Sequence, residues 1–434
     1  MDLLFKNVAA VTMEKDRPVL KDAFVGVKDG KIACIGTQDA PAASRVIDGK
    51  GKVLIPGLYN CHTHIPMSLL RGYGNDRSLE DWLFNFIFPA EKKMRGIDNA
   101  IYTGSMLSIA EMLASGTIAF SEMYFGLDAI AKAVEESGVK ANISNAVISF
   151  EQEGYDYFKT NEFMETKHLL EKYHNLTHGR IKAEASLHCA YTTHPTAWRQ
   201  VAEFAKENQI GMHVHLSETI TEHNKSLEQF DLTPAQAFAQ YGAFDVPAVA
   251  AHACWLSEDD MDILAHHGVT VAHNPVSNLK LASGISSVFV MQKKGINVAL
   301  GTDGMASNNS HDLFEEIKLA SILQKCSFED PTAVPAFQAL EMATVNGAKA
   351  QGRQGGMIVE GYDADLVLLD FDNPRQIPCF DPIVSLAYSA TGRDVVMTVC
   401  QGRILYENGE YTTIDIEKIK HEANRIAKEL VIGE

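Results

Sequence analysis

Short apolar runs recur through the middle of the chain, at 53–59, 117–122, 141–149, 181–189, 210–216, 246–253, 269–273 and 296–301. Most gaps between them carry apolar positions at helical spacing, as from Ala131 to Gly138 and from Thr196 to Asn208. Eight strand candidates separated by helices predict an α/β chain with a (β/α)8 TIM-like barrel. A doubly wound sheet alternates in the same way, so spacing alone leaves the two open. The ends of the chain read differently. Asp29-Gly30 separates the run at 24–27 from Ile32-Ala33-Cys34-Ile35, and Asp48-Gly49 precedes Val53-Leu54-Ile55. Leu366-Val367-Leu368-Leu369 and Val395-Val396-Met397-Thr398-Val399 also sit between Gly- and Asp-rich turns. The pattern predicts a small β-sandwich domain built from 1–55 and 360–412, a barrel domain over 56–359, and a C-terminal helix over 413–434. In that helix Ile416, Ile419, Ala423, Ile426 and Leu430 share a face behind Asp415 as N-cap.

Composition narrows the partners. The 434 residues are 46% apolar and 22% charged, an ordinary globular balance. Lys and Arg number 38 against 56 Asp and Glu, a formal charge of −18, and the longest basic cluster is Lys92-Lys93-Met94-Arg95. Such a chain is repelled by phosphate backbones and anionic membranes, so neither nucleic acid nor membrane is expected as a partner. No apolar run approaches the roughly 18 to 20 residues that span a bilayer. The opening Met1-Asp2-Leu3-Leu4-Phe5-Lys6 lacks the basic stretch of a secretory signal. Seven scattered cysteines, none in a C-x-x-C pair, fit reduced thiols in a cytoplasmic protein.

Four runs end in residues able to bind a metal. The first ends Asn60-Cys61-His62-Thr63-His64, the fifth His213-Val214-His215-Leu216-Ser217-Glu218, the sixth His252-Ala253-Cys254 and the eighth Gly301-Thr302-Asp303-Gly304. Residues i and i+2 of a strand share a face, so His62 and His64 can grip one ion from one strand end. By the same alternation either His213 or His215 is available. In a barrel these strand ends converge on one mouth, where imidazoles and a carboxylate suit a divalent ion with a position left for water. Glu218, three residues past His215, is placed to shuttle a proton between that water and a substrate nitrogen.

These stretches resemble the amidohydrolase superfamily and, more closely, the 5′-methylthioadenosine/S-adenosylhomocysteine deaminase family. The resemblance covers nearly the whole chain. It is carried by Pro56-Gly57-Leu58-Tyr59-Asn60-Cys61-His62-Thr63-His64, Ser68-Leu69-Leu70-Arg71-Gly72, Glu80-Asp81-Trp82-Leu83 and His215-Leu216-Ser217-Glu218-Thr219. Further along come His273-Asn274-Pro275-Val276-Ser277-Asn278, Gly301-Thr302-Asp303-Gly304 and Gly361-Tyr362-Asp363-Ala364-Asp365. The resemblance implies His62, His64, His215 and Asp303 as metal ligands, which selects His215 over His213. It implies Glu218 as proton shuttle, with His252 and Asp303 orienting the water. Trp82, Glu91 and His188 are implied as substrate contacts, with Glu91 on the ribose hydroxyls. The family's best-known members have an arginine near the end of the third strand, where this sequence has Asn145. That departure weakens the expectation of an anionic homocysteine tail, for which Lys159 and Lys167 are the nearest substitutes.

The implied activity is hydrolytic deamination of an adenine nucleoside at C6, acting on 5′-methylthioadenosine, S-adenosylhomocysteine, adenosine or 5′-deoxyadenosine. One divalent ion per chain is expected, with Zn²⁺ first and Fe²⁺ and Mn²⁺ accepting the same ligands. The partner is a small-molecule nucleoside, and pairing through exposed barrel helices makes a homo-oligomer the expected assembly. The competing readings are deamination or hydrolysis of another purine, pterin, pyrimidine or s-triazine ring, a binuclear amide-ring hydrolase, and a metal-stabilised binding protein. The binuclear reading needs a bridging lysine, and the fourth run ends in His188-Cys189 instead.

Overall fold

Each of the eight apolar runs holds or opens a strand of one parallel sheet in the computed structural model, which describes residues 1–432. The strands are Leu58–His64, Thr117–Met123, Lys140–Ser144, Ile181–Leu187, Gly211–Leu216, Ala248–His252, Thr270–His273 and Asn297–Leu300. They follow one another in chain order across the sheet. Their near-continuous apolar character reflects burial on both faces, helices outside and packed side chains inside. The ring closes through a break in the eighth strand. Asn297–Leu300 bonds to the seventh strand, and after Gly301-Thr302 the short piece Asp303–Gly304 bonds to the first. Asn60 clamps the break, its Oδ1 accepting from the Thr302 amide at 3.0 Å and its Nδ2 donating to the Thr302 hydroxyl at 2.7 Å.

Two runs are divided in ways that apolar character does not report. The run at 53–59 splits at Gly57. Strand Lys52–Pro56 pairs with Leu366–Asp370 in a second sheet, so Pro56 belongs there, and Leu58 opens the barrel. A side chain at Gly57 would put its Cβ 2.3 Å from Ile118 Cγ1, which is why glycine makes this crossing. The run at 141–149 leaves the sheet after Ser144, and only Val147 still bridges to Leu187.

The second sheet has nine strands, drawn from Leu3–Asp48, Lys52–Pro56 and Leu366–Tyr411. It curls around a core that includes Phe5, Val25, Leu54, Leu366 and Val399 until the turn at Gly30 bonds back to Ala364. This is the sandwich expected from both chain ends. Lys140, at the start of the third barrel strand, is buried and ion-paired to Asp363 and Asp365 at the entry to that sheet. The terminal helix runs Ile416–Ile432 and packs on Ala100–Ala114. Asp415 caps it by accepting from the Lys418 amide, and Ile419, Ala423, Ile426 and Leu430 are buried. Positions 433–434 of the expected helix lie outside the described residues.

Candidate active site

The C-terminal ends of the first, fifth, sixth and eighth strands bring His62, His64, His215, His252 and Asp303 together. His62 Nε2 and His64 Nε2 lie 3.4 and 3.2 Å from Asp303 Oδ1, and His215 Nε2 lies 3.4 Å from His64 Nε2. The strand ends turn sharply to aim these groups inward. Ser217, His252 and Asp303 all have positive φ, a conformation that costs a non-glycine residue energy and is held by its surroundings.

Hydrogen bonds at the far side of each ring fix what faces the centre. His64 Nδ1 donates to the Met123 carbonyl at 2.6 Å and His215 Nδ1 to the His188 carbonyl at 2.7 Å, so in each neutral ring it is Nε2 that carries the lone pair. Two such lone pairs 3.4 Å apart call for a positive charge beside them, either a proton on one ring or a cation that both rings ligate. His62 Nε2 is fully buried with no hydrogen-bond partner. Asp303 Oδ2 accepts from the Ser277 and Ser307 hydroxyls at 2.6 and 2.8 Å, which leaves Oδ1 for the histidines. Burial pushes His62 down to about 3 and His215 well below its ordinary value, so both are neutral. His64 moves the other way. Burial depresses it, but the hydrogen bond and charge of Asp303 outweigh that and lift it to about 9. A proton on His64 thus answers the buried Asp303 carboxylate, the task a cation would take over. Neutral imidazoles with one carboxylate fit a divalent cation. The candidate ligand atoms form two overlapping triads, His62–His215–His252 and His62–His64–Asp303, each within 4.8 Å.

His252 and Glu218 stand beside this cluster. His252 Nδ1 donates to Asn278 Oδ1 at 2.8 Å, and its Nε2 lies 3.8 Å from Glu218 Oε2. Glu218 Oε1 accepts from the Ser283 hydroxyl at 2.9 Å, and burial raises its carboxyl above the ordinary range. The pocket above is lined by Trp82, Glu91, Asn145, His188, His215, Glu218, His252, Asp303 and His64, with His62 wholly buried beneath. Trp82 belongs to the segment Leu79–Met94, in which Leu83–Ile87 forms a π-helical turn between two α-helical pieces. Leu83 and Phe88 join it in the pocket wall, while Phe84 turns to solvent. Glu91, in the same segment and also lining the pocket, is pushed up to about 7 by burial against a hydrogen bond from Tyr124. Asn145 Nδ2 donates to Glu165 at 3.0 Å, and Glu165 also accepts from the Gly126 amide.

Several lining residues were not singled out from the sequence. Glu222 Oε2 accepts from the Glu218 amide at 2.7 Å while Oε1 is unpartnered, and burial raises this carboxyl to about 8. Arg95 lines the pocket with its guanidinium 3.6 Å over the Phe125 ring. Both sit four residues beyond a residue that was singled out, Glu222 after Glu218 and Arg95 after Glu91. One helical turn of spacing was the available signal. Ser277 and Asn278 stand in the family stretch His273–Asn278, and Ser307 just past Gly301–Gly304, without a role of their own, while Ser283 and Tyr124 carry no mark.

Strand ends that gather histidines and a carboxylate suited to a divalent cation, beside a buried carboxyl of raised pKa, fit a metal-dependent hydrolase. Residues 53–405 match the amidohydrolase family. The chain is 43% identical to a 5-methylthioadenosine/S-adenosylhomocysteine deaminase of Acetivibrio thermocellus, with 99% of this chain and 100% of that one covered. It is 44% identical to a 5′-deoxyadenosine deaminase of Methanosarcina acetivorans, over 99% and 98%. Among solved structures, a zinc-bound adenosine deaminase from Xanthomonas campestris superposes with a TM-score of 0.92 at 31% identity, covering 99% of this chain and 98% of that one. The chain belongs to the amidohydrolase family and is a hydrolase of C–N bonds in cyclic amidines.

Proposed function

We propose that this enzyme deaminates an adenine nucleoside hydrolytically at C6, giving the inosine analogue and ammonia, with one zinc ion per chain held by His62, His64, His215 and Asp303. The observation that carries the reading is the Glu218 carboxyl. It is buried, pinned through Oε1 by Ser283, and turned through Oε2 toward His252 at the edge of the histidine cluster. The names of the relatives at 43 and 44% identity support the substrate class.

A divalent cation supplies Lewis-acid activation of water, shifting its pKa from 15.7 toward about 7. With a cation held there, Asp303 Oδ1 would be placed to take a proton from the water, and His252, oriented by Asn278, to hydrogen-bond its oxygen. Glu218 delivers a proton to a ring nitrogen so that negative charge does not build on the purine, then relays one to the departing ammonia. Its raised pKa suits that donor role. Trp82 walls the base, Glu91 accepts from the ribose hydroxyls, and His188 closes the pocket behind His215.

Asn145, backed by the Glu165 carboxylate, supports a neutral 5′ group at that end of the pocket. Arg95 is the Lys or Arg side chain lining the pocket among the described residues, and we assign it, rather than Lys159 or Lys167, to any substrate carboxylate. Seven unpaired cysteines support a reducing, cytoplasmic setting, and among the described residues no helix is long and apolar enough to cross a membrane. Glu218→Gln tests the mechanism. It should keep its zinc and lose about 10²- to 10⁴-fold in kcat, read by ammonia release and metal content. A near-normal rate would remove Glu218 from the reaction.

A further inference from the structure

Three of the four proposed ligands are oriented by near neighbours: His64 and His215 by backbone carbonyls, Asp303 by serine hydroxyls. His62 is oriented by other side chains. Its Nδ1 lies 3.0 Å from His213 Nε2, the rings meeting edge to face. His213 Nδ1 faces Glu184 Oε2 at 4.0 Å, beyond hydrogen-bond distance, and neither of these buried atoms has a hydrogen-bond partner. Glu184 Oε1 accepts from Asn142 Nδ2 at 2.7 Å, and Asn142 Oδ1 accepts from Arg353 Nη2 at 2.9 Å.

The direction of this chain is set at its far end. A guanidinium only donates, so Asn142 must present its oxygen to Arg353 and its NH₂ to Glu184. Glu184 Oε1 is thereby used, and Oε2 is left facing His213 Nδ1 at 4.0 Å, where an acceptor favours the tautomer with its proton on Nδ1. With its proton on Nδ1, His213 offers Nε2 as an acceptor, so His62 must carry its proton on Nδ1. The His62 Nε2 lone pair is then free to point at the cluster. We propose that Arg353, Asn142, Glu184 and His213 form a one-directional relay, hydrogen-bonded except for the 4.0 Å approach of Glu184 to His213, that fixes the tautomer of His62 and presents its Nε2 to the cation. His213 and Glu184 are positioning residues. The inference rests on the reading of His62 as a ligand, and it gives a task to His213, which strand alternation alone could not separate from His215.

Glu184→Gln is the sharpest test because it preserves size and changes direction. With its oxygen on Asn142, the glutamine turns an NH₂ toward His213 Nδ1. That forces the His213 proton onto Nε2 and the His62 proton onto its own Nε2, where it blocks coordination. Zinc dissociation constants would be measured by chelator competition, beside thermal midpoints of the metal-free proteins. The expected result is affinity weakened about 10- to 100-fold in Glu184→Gln and His213→Leu, the range for residues that orient a ligand. His213→Gln, which keeps an acceptor for His62 Nδ1–H, should recover most of the affinity lost in His213→Leu. Metal-free midpoints should stay close to wild type in Glu184→Gln, which decides the question if His213→Leu folds poorly. Wild-type zinc affinity in Glu184→Gln overturns the relay and leaves the metal centre standing, as does a His213→Gln no better than His213→Leu. A wild-type protein that binds no zinc overturns the metal centre itself.

Discussion

Selectivity among nucleosides turns on single side chains at the pocket wall. Asn145 offers an amide where a cation would be needed to hold a carboxylate, and Glu165 behind it adds a negative charge. Arg95, which we assign to a substrate carboxylate, lines the pocket from another element, stacked on Phe125 and, among the described residues, in no ion pair. Arg95→Ala should therefore raise KM for S-adenosylhomocysteine about tenfold, the effect of one charge-assisted hydrogen bond of about 1.4 kcal/mol, and leave methylthioadenosine within twofold. Equal changes for both substrates would show that Arg95 serves the pocket's shape instead. The metal-facing residues were legible because His-x-His and Gly-Thr-Asp-Gly stand at strand ends, where alternation dictates direction. Arg95 was hidden in a basic run that reads as solvated charge. The task of the serines that hold Asp303 and Glu218 was hidden, even for Ser277 within a family stretch, because a hydroxyl carries no signature until its partner is in place.

At the scale of elements, the eighth strand matters most. Its break at Gly301-Thr302 lets one strand bond to both the seventh and the first, and it swings Asp303 onto the histidines. A Cβ at Gly301 would fall 2.3 Å from Asn274 Oδ1 and 2.8 and 2.9 Å from His62 Cβ and N. Gly301→Ala should cost about 1–3 kcal/mol, the usual range for overpacking a tight interior, and should weaken zinc binding because His62 is the residue displaced. Denaturant unfolding and metal titration check the two parts, and a variant with wild-type stability and zinc affinity would contradict the packing described. All eight strands could be read as apolar runs, since parallel strands are buried on both faces. Their divisions at Gly57, Ser144 and Gly301 could not. An apolar run reports burial and not which neighbour a backbone bonds to.

Across the whole molecule, Lys140 couples the barrel to the sheet formed by the chain ends. Its ammonium is buried with Asp365 and within 2.7 Å of Asp363. Burial alone would raise the Asp363 carboxyl, but the charge of Lys140, helped by Lys31, holds it down at about 2 against an ordinary 3.8. A carboxylate depressed in this way stabilises the fold fully above pH 3.8 and loses that contribution as pH falls toward 2. Lys140→Met strands the buried carboxylates and should cost about 3–5 kcal/mol in urea unfolding at pH 7. The loss should shrink as pH is lowered from 4 toward 2, and a loss independent of pH over that range would mean that Lys140 acts by packing alone. The pairing of the two chain ends into one sheet was legible in their shared turn-rich strand pattern. The ion pair that ties it to the barrel joins residues more than two hundred positions apart, and no local pattern marks it. What this architecture is built to do is tested most directly by ammonia release from the zinc-loaded protein given adenosine, methylthioadenosine, 5′-deoxyadenosine, S-adenosylhomocysteine, guanine and cytosine. The account predicts turnover of the adenine nucleosides, the neutral ones foremost, and none of the free bases. Activity on a base alone, or on none of the six, would contradict it.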